Sequence, residues 1–127
     1  MMKIIADSSA NISALEGVCF QCIPMTIRAG EREFVDDGTL DTAKMLDYLA
    51  SYNGKSGTAC PGLDAWLQAF SGADEIFVVT ITGALSGTCA SAVAARDLYL
   101  QSHPEAKIHV FDSLSTGPEM LLLIEKL

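Results

Sequence analysis

Hydroxyl side chains and glycines cluster after an apolar run in the middle of the sequence. Thr82, Ser86 and Thr88 lie in a short stretch that also contains two glycines. We call residues 82–88 the corner loop, because an apolar segment precedes them and an alanine-rich segment follows them. A helix that begins at Ser86 would present unpaired N–H groups and a partial positive charge there, and Gly87 would let the backbone approach a ligand. Hydroxyl and amide donors can bind a carboxylate without a basic residue, so the corner loop is a candidate site for a singly charged anion.

The same residues are compatible with two other roles. In the first, Ser86 is only a helix cap and the glycines relieve packing. In the second, Ser86 is the nucleophile of a serine esterase or phosphatase. The nucleophile elbow requires G-x-S-x-G, whereas two residues separate Gly83 from Ser86 in this chain. The hydrolase would also need a base from His103 or His109, which are predicted beyond the far end of the following helix and within a strand.

Metal chemistry has weak support in the sequence. Asp7 and Asp112 each directly follow a predicted strand. In a metal-dependent hydrolase the two carboxylates would have to bind the metal from both sides. Aspartates beside serine are more often helix caps or turn residues. Cys19 and Cys22 form a C-x-x-C pair inside a predicted strand, with no second ligand pair nearby in the sequence. In a chain without secretory features, cysteines are expected to be reduced thiols. We therefore predict no metal site.

Strands and helices are predicted to alternate along the chain. Apolar runs predict strands over 3–6, 18–23, 75–81 and 107–111, and alternation predicts a hairpin over 25–28 and 31–35. Helical spacing and caps predict helices over 12–16, 41–52, 63–70 and 86–101, and another from about 119. Met45, Leu46 and Leu49 are predicted to form one buried stripe, and Leu63, Trp66, Leu67 and Phe70 another. This order predicts an α/β domain with a largely parallel sheet flanked by helices.

Hydroxyl-rich segments follow three of the predicted strands, which end at Ala6, Ile81 and Phe111. The carboxyl ends of parallel strands meet at one edge of a sheet, where such folds bind ligands. Thr58, in a predicted loop, can join this edge, and Cys60 lies beside it as a small side chain. The predicted ligand-binding residues are accordingly Thr58, Cys60, Thr82, Ser86, Gly87 and Thr88.

Charge and hydropathy exclude several classes of function. The chain has 16 acidic and 8 basic residues and a net charge of −8, so it lacks the positive field that nucleic acids or anionic membranes require. Its longest apolar runs fall far short of the roughly 20 residues that cross a bilayer. No signal peptide is visible, because Lys3–Ala6 is followed at once by an aspartate. We expect a cytoplasmic location.

Six short motifs resemble the DegV family in their order and spacing. They are KIIADSSAN at 3–11, IPM at 23–25, FVD at 34–36, GTACP at 57–61, LSGTCASA at 85–92 and VFDS at 110–113. The resemblance implies a bacterial fatty-acid-binding protein of two α/β domains that is not itself an enzyme. It places Thr58 and Ser86 at the two carboxylate-contacting hydroxyl positions, with a backbone contact from Gly87. It also implies a bound long-chain fatty acid as the ligand, no other cofactor, and a fatty acid kinase as a partner that phosphorylates the carboxylate.

The chain departs from the family pattern in two respects. The usual Thr-Ser-Gln-Pro reads TACP at 58–61, and the usual serine pair before Leu-Ser-Gly-Thr reads Thr82-Gly83, so head-group or chain preference is expected to differ. The sequence ends at Leu127, inside a predicted helix, so we expect one N-terminal DegV-like domain without the second domain that closes the acyl pocket. A domain that has lost its ligand and only binds other proteins is therefore a third alternative. Acyl length and oligomeric state are not predicted.

Overall fold

Seven strands and four helices form the structure, a computed structural model that describes all 127 residues. The strands are β1 Met2–Asp7, β2 Phe20–Ile23, β3 Thr26–Ala29, β4 Arg32–Val35, β5 Ser56–Ala59, β6 Glu75–Thr80 and β7 Lys107–Asp112. The helices are α1 Thr42–Ser51, α2 Leu63–Phe70, α3 Thr88–Ser102 and α4 Pro118–Lys126. None of the helices has both the length and the apolar composition needed to cross a membrane.

The central sheet has four parallel strands in the order β2-β1-β6-β7. Strand β6 is apolar along most of its length because both of its faces are covered, and Ile76, Val78 and Val79 are fully buried. Helices α2 and α3 pack on one face, where Trp66 and Phe70 join the larger core cluster. The predicted α/β fold with a parallel sheet is confirmed.

The second face of the sheet is covered by α4 and by the chain between β1 and β2. Met120 and Ile124 of α4 pack with Ile4 and Val79 of the sheet. The predicted helix over 12–16 is wrong: a single 3-10 turn over Ser8–Ala10 is followed by irregular chain. Asp7 caps that turn as the sequence suggests, but Asn11 then adopts a left-handed conformation (φ 58°) and ends it.

A second sheet of three antiparallel strands has the order β4-β3-β5. The hairpin of β3 and β4 is confirmed, whereas β5 lies where a loop was predicted, and Thr58 therefore lies in a strand, opposite Ile27. Strand β5 has the sequence SGTA and is mostly exposed, so neither β propensity nor apolar alternation marks it. Backbone pairing with β3 is what holds it in place.

Two helices bury less of their predicted apolar stripes than expected. In α1, Met45 is buried and the half-buried Tyr48 packs its ring near that of Phe34, whereas Leu46 is 55% exposed. In α2, Leu63 is 43% exposed although Trp66 is fully buried. The buried stripes are therefore narrower than the residue spacing suggests.

Candidate functional site

Helix α3 begins two residues later than predicted, at Thr88, and the corner loop leads into it. Ser86 is half-buried; its Oγ accepts the Thr88 N–H at 3.2 Å and lies 2.8 Å from Thr88 Oγ1. Thr88 is fully buried, whereas Gly87 is exposed. The N-cap of the helix is Gly87, which has no side chain to cap it, and Ser86, one residue earlier, accepts the N–H of the first helical residue instead. The exposed backbone at Gly87 lies at the positive end of a 15-residue helix.

The segment after β5 lies against this end of α3. Ser91 Oγ donates a hydrogen bond to the carbonyl of Pro61 at 2.8 Å. A Cβ built on Gly87 would lie 3.7 Å from Cys60 Sγ, which is ordinary van der Waals contact. Thr58, on β5, and Cys60, just after it, are both exposed. The fold thus brings the segment of Thr58 and Cys60 to the corner loop.

Thr82 and Thr88 have structural hydrogen bonds of their own. Thr82 is 9% exposed; its N–H donates to the carbonyl of Ser115 at 2.9 Å, and its Oγ1 accepts from Ala84 N–H at 3.3 Å. The hydroxyl of Thr88 is engaged by Ser86. Of the six predicted ligand-binding residues, Thr58, Cys60, Ser86 and Gly87 are thus the more accessible, and Thr82 and Thr88 are buried behind them.

The carboxylates of Asp7 and Asp112 accept hydrogen bonds from backbone N–H groups. Asp7 is fully buried; its Oδ2 accepts from Ile81 N–H at 2.7 Å, and its Oδ1 accepts from both the N–H and the hydroxyl of Ser9. Asp112 accepts from Gly83 N–H. No three His, Cys, Asp or Glu side chains are grouped so that they could hold a metal ion.

The two histidines are bonded to groups other than Ser86. His103 ends α3, where its Nδ1 lies 3.0 Å from Ser102 Oγ and its ring stacks on Tyr99. His109, on β7, has its Nε2 atom 3.5 Å from Oε1 of Glu75, on the neighbouring strand β6. Ser86 is hydrogen-bonded only within the corner loop, so the Ser-His pair that a serine hydrolase needs is not formed.

Two cavities lie away from the corner loop. The larger, about 350 Å³, is lined by nine residues from the segments around Ser8, Cys22 and Asp36. The other, about 300 Å³, lies between Leu15 and Ile124. Neither is lined by Thr58 or Ser86. Leu85 and Leu114, in the loops after β6 and β7, are 80% and 79% exposed, which leaves apolar surface beside the predicted site.

The thiol of Cys22, on β2, has a raised pKa that the sequence alone did not indicate. Burial raises the pKa of its thiol to about 11, and the negative charges of Asp7 and Asp36 act in the same direction. Only about one thiol in a thousand is ionised at pH 8 when the pKa is near 11. Since the thiolate is the reactive form, Cys22 should be an inert thiol.

We expect iodoacetamide at pH 8 to modify the exposed Cys60 well before Cys22, as measured by peptide mass spectrometry. The rate at Cys22 should rise about tenfold per pH unit up to pH 10, because its thiolate fraction still grows there, whereas an ordinary thiol levels off near pH 8.5–9. Cys19, which is exposed, is the matched control on the same segment. A rate at Cys22 that stops rising between pH 8 and pH 10 would contradict the raised pKa.

Comparison with known proteins decides the family. A family model described as "Uncharacterised protein, DegV family" matches residues 1–127. The chain belongs to the DegV family. A DegV domain-containing protein of Streptococcus pneumoniae is 46% identical over 129 residues, which cover 98% of this chain and 46% of that relative. This DegV chain therefore spans less than half the length of its curated relative.

Solved DegV structures share the fold closely. A DegV family protein from Eubacterium eligens, loaded with heptadecanoic acid, has 53% identity and a TM-score of 0.97, covering 99% of this chain and 46% of that one. The Fatty Acid Kinase (Fak) B3 protein of Streptococcus pneumoniae, loaded with linoleic acid, has 46% identity and a TM-score of 0.94, covering 98% of this chain and 46% of that one. The family resemblance of the sequence motifs is confirmed.

Proposed function

We propose that this DegV chain binds the carboxylate of a long-chain fatty acid at the corner loop and is a binding protein rather than an enzyme. The observation that carries the proposal is that two DegV proteins of nearly the same fold are loaded with fatty acids. In this chain Ser86, Gly87, Thr58 and Cys60 are the accessible groups of the proposed site, and Thr82 and Thr88 support them from behind.

The hydrogen-bond pattern at Ser86 suits a carboxylate ligand. Ser86 Oγ accepts the Thr88 N–H, and the Thr88 hydroxyl can donate to it as well, which leaves the Ser86 hydrogen free to turn toward a ligand. Bonds arranged in such a chain polarise one another, so the outward donor is strengthened. The positive end of α3 adds to the attraction for an anion without any basic side chain.

The acyl chain would supply most of the affinity. Each methylene removed from water contributes about 0.8 kcal/mol, so a long chain outweighs the head-group contacts, which then determine orientation. Exposed Leu85 and Leu114 offer apolar contact next to the corner loop. We propose that this chain forms one α/β domain of the binding protein and that the remaining half of its longer relatives encloses the acyl chain.

The similarity to the Fak B3 protein supports a fatty acid kinase as the partner. In this proposal the kinase phosphorylates the carboxylate that the corner loop holds, and this chain contributes no catalytic group. The lack of a histidine bonded to Ser86 favours this role over hydrolysis. The cytoplasmic location stays a prediction.

Ser86→Ala should weaken palmitate binding by about ten- to a hundredfold, because a hydrogen bond to a charged group contributes about 1.5–3 kcal/mol. The measurement is isothermal titration of the chain with palmitate, together with native mass spectrometry for fatty acid that co-purifies. Ser102→Ala is the matched control, since this serine lies at the opposite end of α3 and bonds only there.

Thr58→Val tests the second proposed hydroxyl and should weaken binding to a similar extent. The titrations should be repeated with the chain joined to the remaining part of the Streptococcus pneumoniae relative. Absence of palmitate uptake in both forms, or full binding by Ser86→Ala, would overturn the proposed function.

A further inference from the structure

Asp112, at the end of β7, connects the corner loop to its neighbouring strand. The N–H of Gly83 lies 3.1 Å from each carboxylate oxygen of Asp112. One of these oxygens, Oδ1, also accepts the N–H of Leu114 at 2.9 Å, so a single carboxylate holds the loops after β6 and β7 together. Gly83 and Asp112 are 29 residues apart in the sequence.

Glycine at position 83 lets the Asp112 carboxylate approach the backbone without having to shift. A Cβ built on Gly83 would lie 2.8 Å from Asp112 Oδ2, a distance that real Cβ atoms do not tolerate. The glycine therefore lets the backbone approach the carboxylate, and the two residues form one structural unit.

This unit is the main link between the middle of the corner loop and the sheet. Thr82 is bonded to Ser115 at the start of the loop, and Thr88 is buried at its end. Between them, residues 83–87 are exposed or half-buried. Ser86 and Gly87 are bonded to the start of α3, through Thr88 and the N–H of Ser91, and the bond from Gly83 to Asp112 is the one that joins this segment to the sheet. The bond from Gly83 to Asp112 therefore fixes the sheet side of the loop that carries Ser86, whose hydroxyl is itself bonded to Thr88.

We propose that Asp112 is a positioning residue for carboxylate recognition: it holds the corner loop so that Ser86 and Gly87 face the ligand. The inference rests on the proposed function but concerns a residue that does not touch the fatty acid. Asp112 is exposed, so its replacement should leave the core intact, unlike replacement of the buried Asp7.

The test compares decanoic acid with 1-decanol, which share a chain length and differ in the head group. Asp112→Ala should lower the preference for the acid about three- to tenfold, because a misplaced donor contributes less to binding an anion. Asp112→Asn, which keeps one acceptor oxygen, should retain part of the preference. A purely structural role would weaken both ligands equally and leave their ratio unchanged.

Asp41→Ala is the matched control, since Asp41 is also exposed and accepts a single backbone N–H, that of Lys44, at the start of α1. It should leave the acid preference unchanged. An unchanged preference in Asp112→Ala, with a normal loss in Ser86→Ala, would overturn the positioning role while keeping the proposed function.

Amide hydrogen exchange of the ligand-free chain separates the two proposals. Asp112→Ala should speed exchange at Gly83 and Leu114 at least about tenfold, since an amide that loses its acceptor is freed to exchange, while Val78 in β6 stays protected. Unchanged exchange at Gly83 would overturn the positioning role whatever the ligand data show. If the wild-type chain shows no preference for the acid, the proposed function fails and the role of Asp112 in carboxylate recognition fails with it; the exchange result then tells only whether Asp112 holds the corner loop.

Discussion

Asp7→Ala is expected to lower the free energy of unfolding by about 3 kcal/mol, because buried donors that lose their acceptor cost about 1–3 kcal/mol each. The Asp7 carboxylate is fully buried and accepts the N–H of Ile81 at 2.7 Å and the N–H of Ser9 at 3.0 Å. The first bond joins the ends of β1 and β6, and the second closes the turn after β1. Urea unfolding followed by far-UV circular dichroism measures the effect.

Asp112→Ala is the control for Asp7→Ala, since Asp112 also accepts backbone N–H groups at a strand end but is exposed. Water can replace its carboxylate, so the expected loss is under about 1 kcal/mol. Asp7→Asn should lie between the two, because an amide oxygen can accept one N–H but the amide nitrogen then faces another donor. Equal losses for Asp7→Ala and Asp112→Ala would contradict a special role for burial.

The layout of the central sheet could be predicted because its signals are local. Apolar runs mark β1, β6 and β7, and helix caps and apolar spacing mark the helices between them. The corner loop follows from the same reasoning, since hydroxyls and glycines after a buried strand indicate a strand-to-helix connection. Its position at the carboxyl edge of the sheet then follows from the parallel topology.

The roles of Asp7 and Asp112 could be predicted only in part. Both were expected to act as caps or turn residues, and Asp7 does cap the turn at Ser9. Their longer-range partners, Ile81 and Gly83, lie 74 and 29 residues away in the sequence. Nothing local marks such a pair, because it exists only once the strands are side by side.

Strand β5 and the larger cavity were missed for a related reason. Strand β5 has weak strand propensity and is held by pairing with β3, which depends on the whole hairpin being in place. The cavity near Cys22 arises where separate segments meet. The burial and the two aspartates that raise the pKa of Cys22 come together in the same way, so neither has a signature in the neighbouring residues. The ligand-binding roles of Thr58 and Ser86 stay predictions that the titrations above address.

Trp66→Ala should lower the free energy of unfolding by about 3–5 kcal/mol, the usual loss for a large aromatic side chain in a core. Trp66 is fully buried between α2 and the sheet, and its ring lies 6.4 Å from that of Phe70. Because this is the one tryptophan of the chain, unfolding has to be followed by circular dichroism rather than fluorescence.

Trp66→Phe separates packing from polarity at the same position. The indole Nε1–H of Trp66 is buried and has no acceptor, a state that costs about 1–3 kcal/mol. Phenylalanine removes this unpaired donor while it leaves a smaller cavity than alanine does, so the two effects oppose each other and the net loss should stay under about 1.5 kcal/mol. A loss as large as that of Trp66→Ala would mean that the shape of the indole, rather than apolar volume, is what stabilises the core between α2 and the sheet.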